Sequence, residues 1–237
     1  MKTVRARTED DSLRAVLSRH PLVELVDAPA ASPLEFDQGT WHRQVHVGDT
    51  TGLRGLVELM DNNPLVCADS LSVPDAGSTL ALIAIGPLIR AGILVEAPVL
   101  MYSFEVVEAT IDSYLESMEW PHGASVHLDF QDLGSVVALN AMAIIQTPAR
   151  LEDIDDLYAE AYGRSFFVRR EESETWDTAL VANRPHAVFR LRISPDEPNS
   201  LLTIQVMADR DGKAGAAQIV HAMNVMAGFE ESLGIAE

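Results

Sequence analysis

The chain has 237 residues and a formal charge of −19, from 36 acidic against 17 basic side chains, with 47% hydrophobic and 22% charged residues. That composition excludes a mainly disordered chain, and the charge repels phosphate backbones and anionic bilayers, so neither nucleic acid nor a membrane is an expected partner. A single cysteine, Cys67, excludes an internal disulfide and any multi-cysteine zinc or iron–sulfur site.

The opening ten residues are polar, and the longest apolar run, Leu80 to Leu88, is too short to span a bilayer. A cytoplasmic protein is the expectation. Thr3 to Arg7 reads as a strand. Asp10 and Asp11 then offer cap residues to a helix carrying Leu13, Val16 and Leu17, which stops before Pro21. Val23 to Asp27 alternates as a second strand, so the chain opens strand–helix–strand.

Residues 28–51 read as loop-rich, with Pro29, Pro33, Gly39 and Gly48, and a strand over Trp41 to Val47. Leu53 to Met60 reads as a short helix and Pro64 to Ala68 as a buried strand holding a buried Cys67. Ser78 to Ala91 is apolar almost all round and predicts a buried helix, closed at Gly92. Strands follow at Val99 to Val107, Ser125 to Phe130 and Val136 to Gln146, with a helix over Thr110 to Met118. Leu151 to Tyr162 is an acidic amphipathic helix and Phe166 to Arg169 a short strand. Ala187 to Ile193 and Leu201 to Asp209 pair as strands, and Gly215 to Met226 forms a last helix closed by Gly228. Met207, Met223 and Met226 read as core or dimer-face residues. Helices interleaved with long strands give an α+β or α/β class.

Four segments, in order, carry a family resemblance. The last, Asp209-Arg-Asp-Gly-Lys213-Ala-Gly-Ala-Ala-Gln218-Ile-Val-His-Ala-Met223-Asn224, resembles the C-terminal motif of N-acetyl-gamma-glutamyl-phosphate reductases. Leu151 to Arg169 resembles that family's helix with its Pro-Phe-Val-Arg ending. Val73-Pro74-Asp-Ala76-Gly-Ser-Thr79, followed by an apolar helix, resembles the active-site junction Asn-Pro-Gly-Cys-Tyr-x-Thr. Leu13 to Val26, with Arg19-His20-Pro21, resembles the first helix and second strand of the cofactor domain. Aspartate-semialdehyde dehydrogenases share the fold. The resemblance covers most of residues 70–237 and is thin before them. It implies a shrunken Rossmann-like remnant over 1–70, a semialdehyde-dehydrogenase-like dimerisation and substrate domain with a large mixed sheet over 71–237, and a homodimer.

The departures from the family are chemical. The turn between first strand and first helix, Arg7-Thr8-Glu9-Asp10-Asp11, has no glycine and three carboxylates, against the open, phosphate-accepting turn a dinucleotide needs. Ala76 stands at the nucleophile position, and alanine cannot form a thioester. Val107 falls near the family's histidine and Val137 near its arginine; Lys213 matches its lysine. Together these imply no dinucleotide cofactor.

Other polar groups offer themselves. His42 and His46 sit four apart with no third ligand marked by spacing, so they read as loop histidines and no metal is expected. His127 and Asp129 alternate along one strand face, with Gln131 continuing it; the pair reads either as general acid–base apparatus at the old substrate cleft or as a solvated face. Glu105 and Glu108 occupy the family's histidine region. Arg184, before His186, reads either as a carboxylate contact near the family's substrate loop or as a residue set there by the turn alone. The expectation is a cofactor-independent, non-redox cyclase, isomerase or lyase acting on a small molecule, with His127, Asp129, Glu105 and His186 as catalytic groups and Arg184 and Lys213 as substrate contacts. The alternative is an inactive reductase paralogue serving as a binding or scaffold partner.

Overall fold

The computed structural model describes residues 3–235. β1 (Val4–Arg7) buries Val4 and Ala6 and leads into α1 (Asp11–Leu17), whose first turn is capped by Asp10 accepting from the Leu13 amide at 2.8 Å. β2 (Val23–Leu25) returns parallel to β1. β3 (Leu34–Gln38) and β4 (Trp41–Val47) form an antiparallel hairpin turning at Gly39, where φ is +68°. A 3-10 turn (Val57–Leu59), α2 (Asn62–Cys67) and β5 (Ser70–Val73) follow. The first sheet has the order β2-β1-β3-β4-β5.

The chain then enters α3 (Ala76–Arg90), capped by Asp75 on the Ser78 amide. Pro87 inside α3 leaves the Ile83 carbonyl without its usual i+4 donor; the Tyr162 hydroxyl donates to that oxygen at 3.2 Å. β6 (Val99–Tyr102), α4 (Glu108–Glu116), β7 (Ser125–Leu128), β8 (Val136–Gln146), α5 (Glu152–Tyr162), β9 (Val168–Arg170), β10 (Ala187–Ser194), β11 (Asn199–Asp209) and α6 (Ala216–Ala227) complete the order. The second sheet runs β7-β6-β8-β11-β10-β9, with β7 and β9 as parallel edges and an antiparallel centre. The molecule is therefore mixed α and β, as expected.

Each sheet is covered by helices on one face. α3, α4 and α5 share a core with Leu139, Ala141, Ala143, Leu202, Ile204 and Val206 of the second sheet. α6, far away in sequence, joins the core of the first sheet, with Val4, Phe36, Val45 and Leu71. Arg43 is fully buried there and donates to the carbonyls of Met226, Leu65, Val66 and Ala68, closing the C-terminal ends of α6 and α2. Gly228 ends α6 at φ +70°, as its position predicts.

Four readings need correction. Leu53 to Met60 is not a helix: it holds only the 3-10 turn Val57–Leu59, because Gly55, at φ +153°, and the Arg54 bridge to Ser72 keep its first half extended. Pro64 to Cys67 is part of helix α2, with Ala68 as its C-cap, and is not a strand: so short an apolar run fits either period, and Asn62 and Pro64 stand in the helix's first turn. Cys67 ends that helix and is exposed, not buried. β3 sits inside the stretch read as loop, because Pro33 precedes the strand without entering it.

Candidate functional site

The two covered cores meet where β5 runs into α3. The same junction holds the β1–α1 turn, the β6–α4 loop and the segment Asp209 to Gly215 before α6. Asp209 organises that segment: its carboxylate accepts from the Ser135 hydroxyl at 2.6 Å, the Asn183 amide at 2.8 Å and the Asp211 amide at 2.9 Å. The segment then coils so tightly that a Cβ on Gly215 would stand 1.9 Å from the Arg210 carbonyl oxygen, and one on Gly212 would stand 2.1 Å from that of Arg184. Only glycine permits this path.

A cavity of about 320 Å³ opens at the junction. Leu13, Val47, Val73 and Ile219 give it an apolar wall, while Asp10, Asp211 and Arg210 bring charge to it. Its size lies at the low end of the roughly 300–1,000 Å³ usual for small-molecule sites. Gln218, fully buried, closes the floor by donating to the Pro74 carbonyl at 2.9 Å and the Thr79 hydroxyl at 3.0 Å. The Arg210 side chain is exposed; its guanidinium lies 5.4 Å from the Phe104 ring centre and meets no carboxylate among the described residues. Two larger hollows, about 680 and 620 Å³, lie at the C-terminal ends of α3 and α4 and over Arg190 and Arg192 on the second sheet. Both lie away from this junction.

Ala76 begins α3 two residues after Pro74, which lines the cavity, so no thiol stands at that position. Cys67 lies at the far end of β5 and does not replace it. A dinucleotide does not fit the β1–α1 turn. The Thr8 hydroxyl closes onto the Pro33 carbonyl at 2.6 Å, Arg14 donates to the Thr8 carbonyl at 2.8 Å, and the Asp10 carboxylate already takes the helix amide that a pyrophosphate would need.

The residues picked out from sequence are dispersed. His127 is exposed on edge strand β7 and pairs with Ser125 at 3.0 Å; Asp129 lies beyond that strand, bonded to Gln131 at 3.1 Å. No hydrogen bond joins His127 to Asp129 among the described residues. Glu105 and Arg184 are exposed, and His186 is buried at the start of β10. None of them lines the cavity. Lys213 is wholly buried, with its Nζ 2.7 Å from Glu58. His221 stands 3.8 Å from the same carboxylate and 3.1 Å from Glu231. Burial pushes the Glu58 carboxyl up, but Lys213 and His221 outweigh it and leave it below its ordinary value. Burial likewise pulls the Lys213 ammonium down. This lysine fixes α6 to the 3-10 turn, out of reach of a ligand. His42 bonds Asp37 at 2.9 Å, and no metal-holding cluster exists among the described residues. Sequence reasoning gives Arg210 no role of its own. The usable signal was its place in the C-terminal motif, where the family carries asparagine.

Comparison with known proteins fits this geometry. The chain is 27% identical over 202 residues to N-acetyl-gamma-glutamyl-phosphate reductase of Bacillus mycoides (strain KBAB4), and 28% identical over the same length to that of Bacillus anthracis (strain A0248). The chain resembles the N-acetyl-gamma-glutamyl-phosphate reductases. The match covers 71% of this chain and 57% of each relative, so the chain spans little more than half the length of the reductases it matches. No family model matches it. The expectation of a non-redox cyclase, isomerase or lyase is corrected here: the matching proteins are named reductases, and the acid–base groups on which that expectation stood are scattered over separate surfaces.

No helix among the described residues is long and apolar enough to cross a membrane.

Proposed function

We propose that the chain is an enzyme of the reductase scaffold that binds a small acidic, glutamate-derived compound in the junction cavity, with Arg210 as the anion contact. The observation that carries this reading is an arginine without a carboxylate partner at the mouth of an apolar-walled cavity, beside the residue that holds the nucleophile position in the relatives. Arginine binds carboxylate through two parallel N–H groups, and a ligand gains most where the partner is not already neutralised. With alanine at position 76, an acyl group is held in this chain without a covalent thioester. The relatives' name supplies the ligand class, a γ-substituted glutamate.

Calorimetric titration of the chain with L-glutamate and its N-acetyl derivative tests this. Binding by either compound, weakened at least tenfold in Arg210→Ala, is the expected result. Titrations that give no heat with any such compound, or equal affinity in the variant, overturn it.

We further read the open face of the second sheet as a homodimer surface, as the resemblance implies. Its rungs run Val99–Met142–Thr203–Arg192 and Met101–Asn140–Gln205–Arg190, apolar on one side and polar on the other. Half-buried Met101, Met142 and Ile144 lie opposite the helix-covered side.

A further inference from the structure

The cavity carries more negative than positive charge. Asp10 and Asp211 both line it against the single cation of Arg210. Asp211 has no hydrogen-bond or ion-pair partner for its carboxylate among the described residues, and only one oxygen of Asp10 serves the helix cap. Two anions and one cation around an apolar wall form a poor site for a ligand that is only anionic. A doubly or triply charged acyl phosphate would meet both carboxylates as well as a chain of net charge −19. The same arrangement suits a ligand that bears its own cation close to its carboxylate. We propose, resting on the reading of this cavity given above, that the ligand carries a free ammonium group, so that the site selects an unacylated α-amino acid derivative over the N-acylated compound named for the relatives.

The physical reason is pairing in a confined space. Arg210 takes the carboxylate, and Asp211, with the second oxygen of Asp10, takes the ammonium. An acetyl cap removes that cation and replaces it with a neutral amide that can donate only one hydrogen bond. Asp10 and Asp211, exposed at the cavity, then keep water in place of the ammonium, and the N-acetyl compound forgoes both ion pairs.

Calorimetry on the full chain with L-glutamate, glutarate and N-acetyl-L-glutamate separates the possibilities. Glutarate keeps both carboxylates and lacks the amino group without adding bulk. Expected is L-glutamate binding at least tenfold more tightly than either of the others. Asp211→Asn should remove most of that preference while leaving glutarate binding within about twofold, and Asp10→Asn should act in the same direction; the melting temperature of each variant verifies the fold. Glutarate binding as tightly as L-glutamate, with only the N-acetyl compound excluded, would show rejection by bulk and overturn the ammonium pairing. N-acetyl-L-glutamate binding as tightly as L-glutamate, or more tightly, overturns it too and leaves the cavity reading standing. No binding by any of the three removes both.

Discussion

The two sheets show one construction with opposite finishes. Each is covered by helices on one side and open on the other. On the first sheet the open rungs are Arg7–Glu35–Gln44–Ser70 and Arg5–Asp37–His42, charged and bonded among themselves: Arg7 meets Asp37 at 3.1 Å, His42 meets Asp37 at 2.9 Å and Gln44 meets Glu35 at 3.2 Å. On the second sheet the open rungs carry Val99, Met101, Met142 and Ile144 on β6 and β8 beside the uncharged Asn140, Thr203 and Gln205, with arginines only on the β10 side. A face that satisfies its own polar groups suits water, whereas one that leaves thioethers and branched chains half-exposed suits another protein surface. The difference supports the proposal that the second sheet, and not the first, is the face that pairs.

The largest effect should come from placing charge in the second face. Met142→Lys puts an ammonium at the centre of the proposed interface, and sedimentation should report a shift from twice 25.8 kDa to a single chain. Gln44→Lys on the first face should leave the mass unchanged. A wild-type chain already sedimenting as a single copy would end the pairing reading.

Next in size is the buried cluster that joins the two halves. Lys213→Ala leaves Glu58 inside the protein with only the Ser165 hydroxyl at 3.3 Å and His221 at 3.8 Å facing it, and removing one partner of a buried pair costs about 3–5 kcal/mol. Chemical denaturation should show this as a lowered midpoint. A loss below about 1 kcal/mol would mean that water reaches Glu58 and that the halves are not tied here.

These two features were unequally legible in the sequence. The long apolar α3, β8, and α6 with its terminal glycine announce themselves by period, composition and cap, because each buries a continuous face. The fold class followed from them and from the motif order. β3 and α2 escaped because a few residues carry too little periodicity to outweigh neighbouring prolines. The partner of Lys213 stands 155 positions away, and nothing local to the lysine marks it. The lysine therefore reads as a ligand contact, while Arg210, three residues earlier, carries no reading of its own. Which of two cations in one loop is neutralised is decided by tertiary approach alone.

A third prediction concerns pH. His20 accepts from the Leu22 amide at 3.1 Å through Nδ1 and meets Asn224 at 2.9 Å through Nε2. The amide fixes the neutral tautomer with its proton on Nε2. Burial lowers its pKa below the ordinary 6.5, and the Asn224 bond only partly opposes this. The unfolded chain therefore takes up a proton near pH 6.5 that the folded chain refuses until lower pH. Its contribution is present above that pH and is lost as pH falls through the interval between the two values. The melting temperature should drop between pH 7 and 5, and less steeply in His20→Gln. Because His20 also anchors the segment after α6, through Asn224 bonds to the Glu231 and Leu233 carbonyls, hydrogen exchange there should rise over the same interval. Identical slopes in both proteins would place the titration elsewhere.

The smallest effect is expected on the first face itself, and it bears most directly on the comparison. Arg7→Ala removes contacts to Asp37 at 3.1 Å and Glu35 at 3.5 Å. The groups left behind are not stranded. Asp37 keeps His42, and Glu35 keeps the Ala31 amide at 2.9 Å and Gln44 at 3.2 Å. Partly exposed pairs of this kind contribute about 0–1 kcal/mol, and salt screens them further. Denaturation of Arg7→Ala should therefore move the midpoint by no more than that, with the shift shrinking in high salt. A cost like that of Lys213→Ala, insensitive to salt, would show that this network is sealed from water. The first face would then be covered in solution as the second is proposed to be, and the contrast between the sheets would fail.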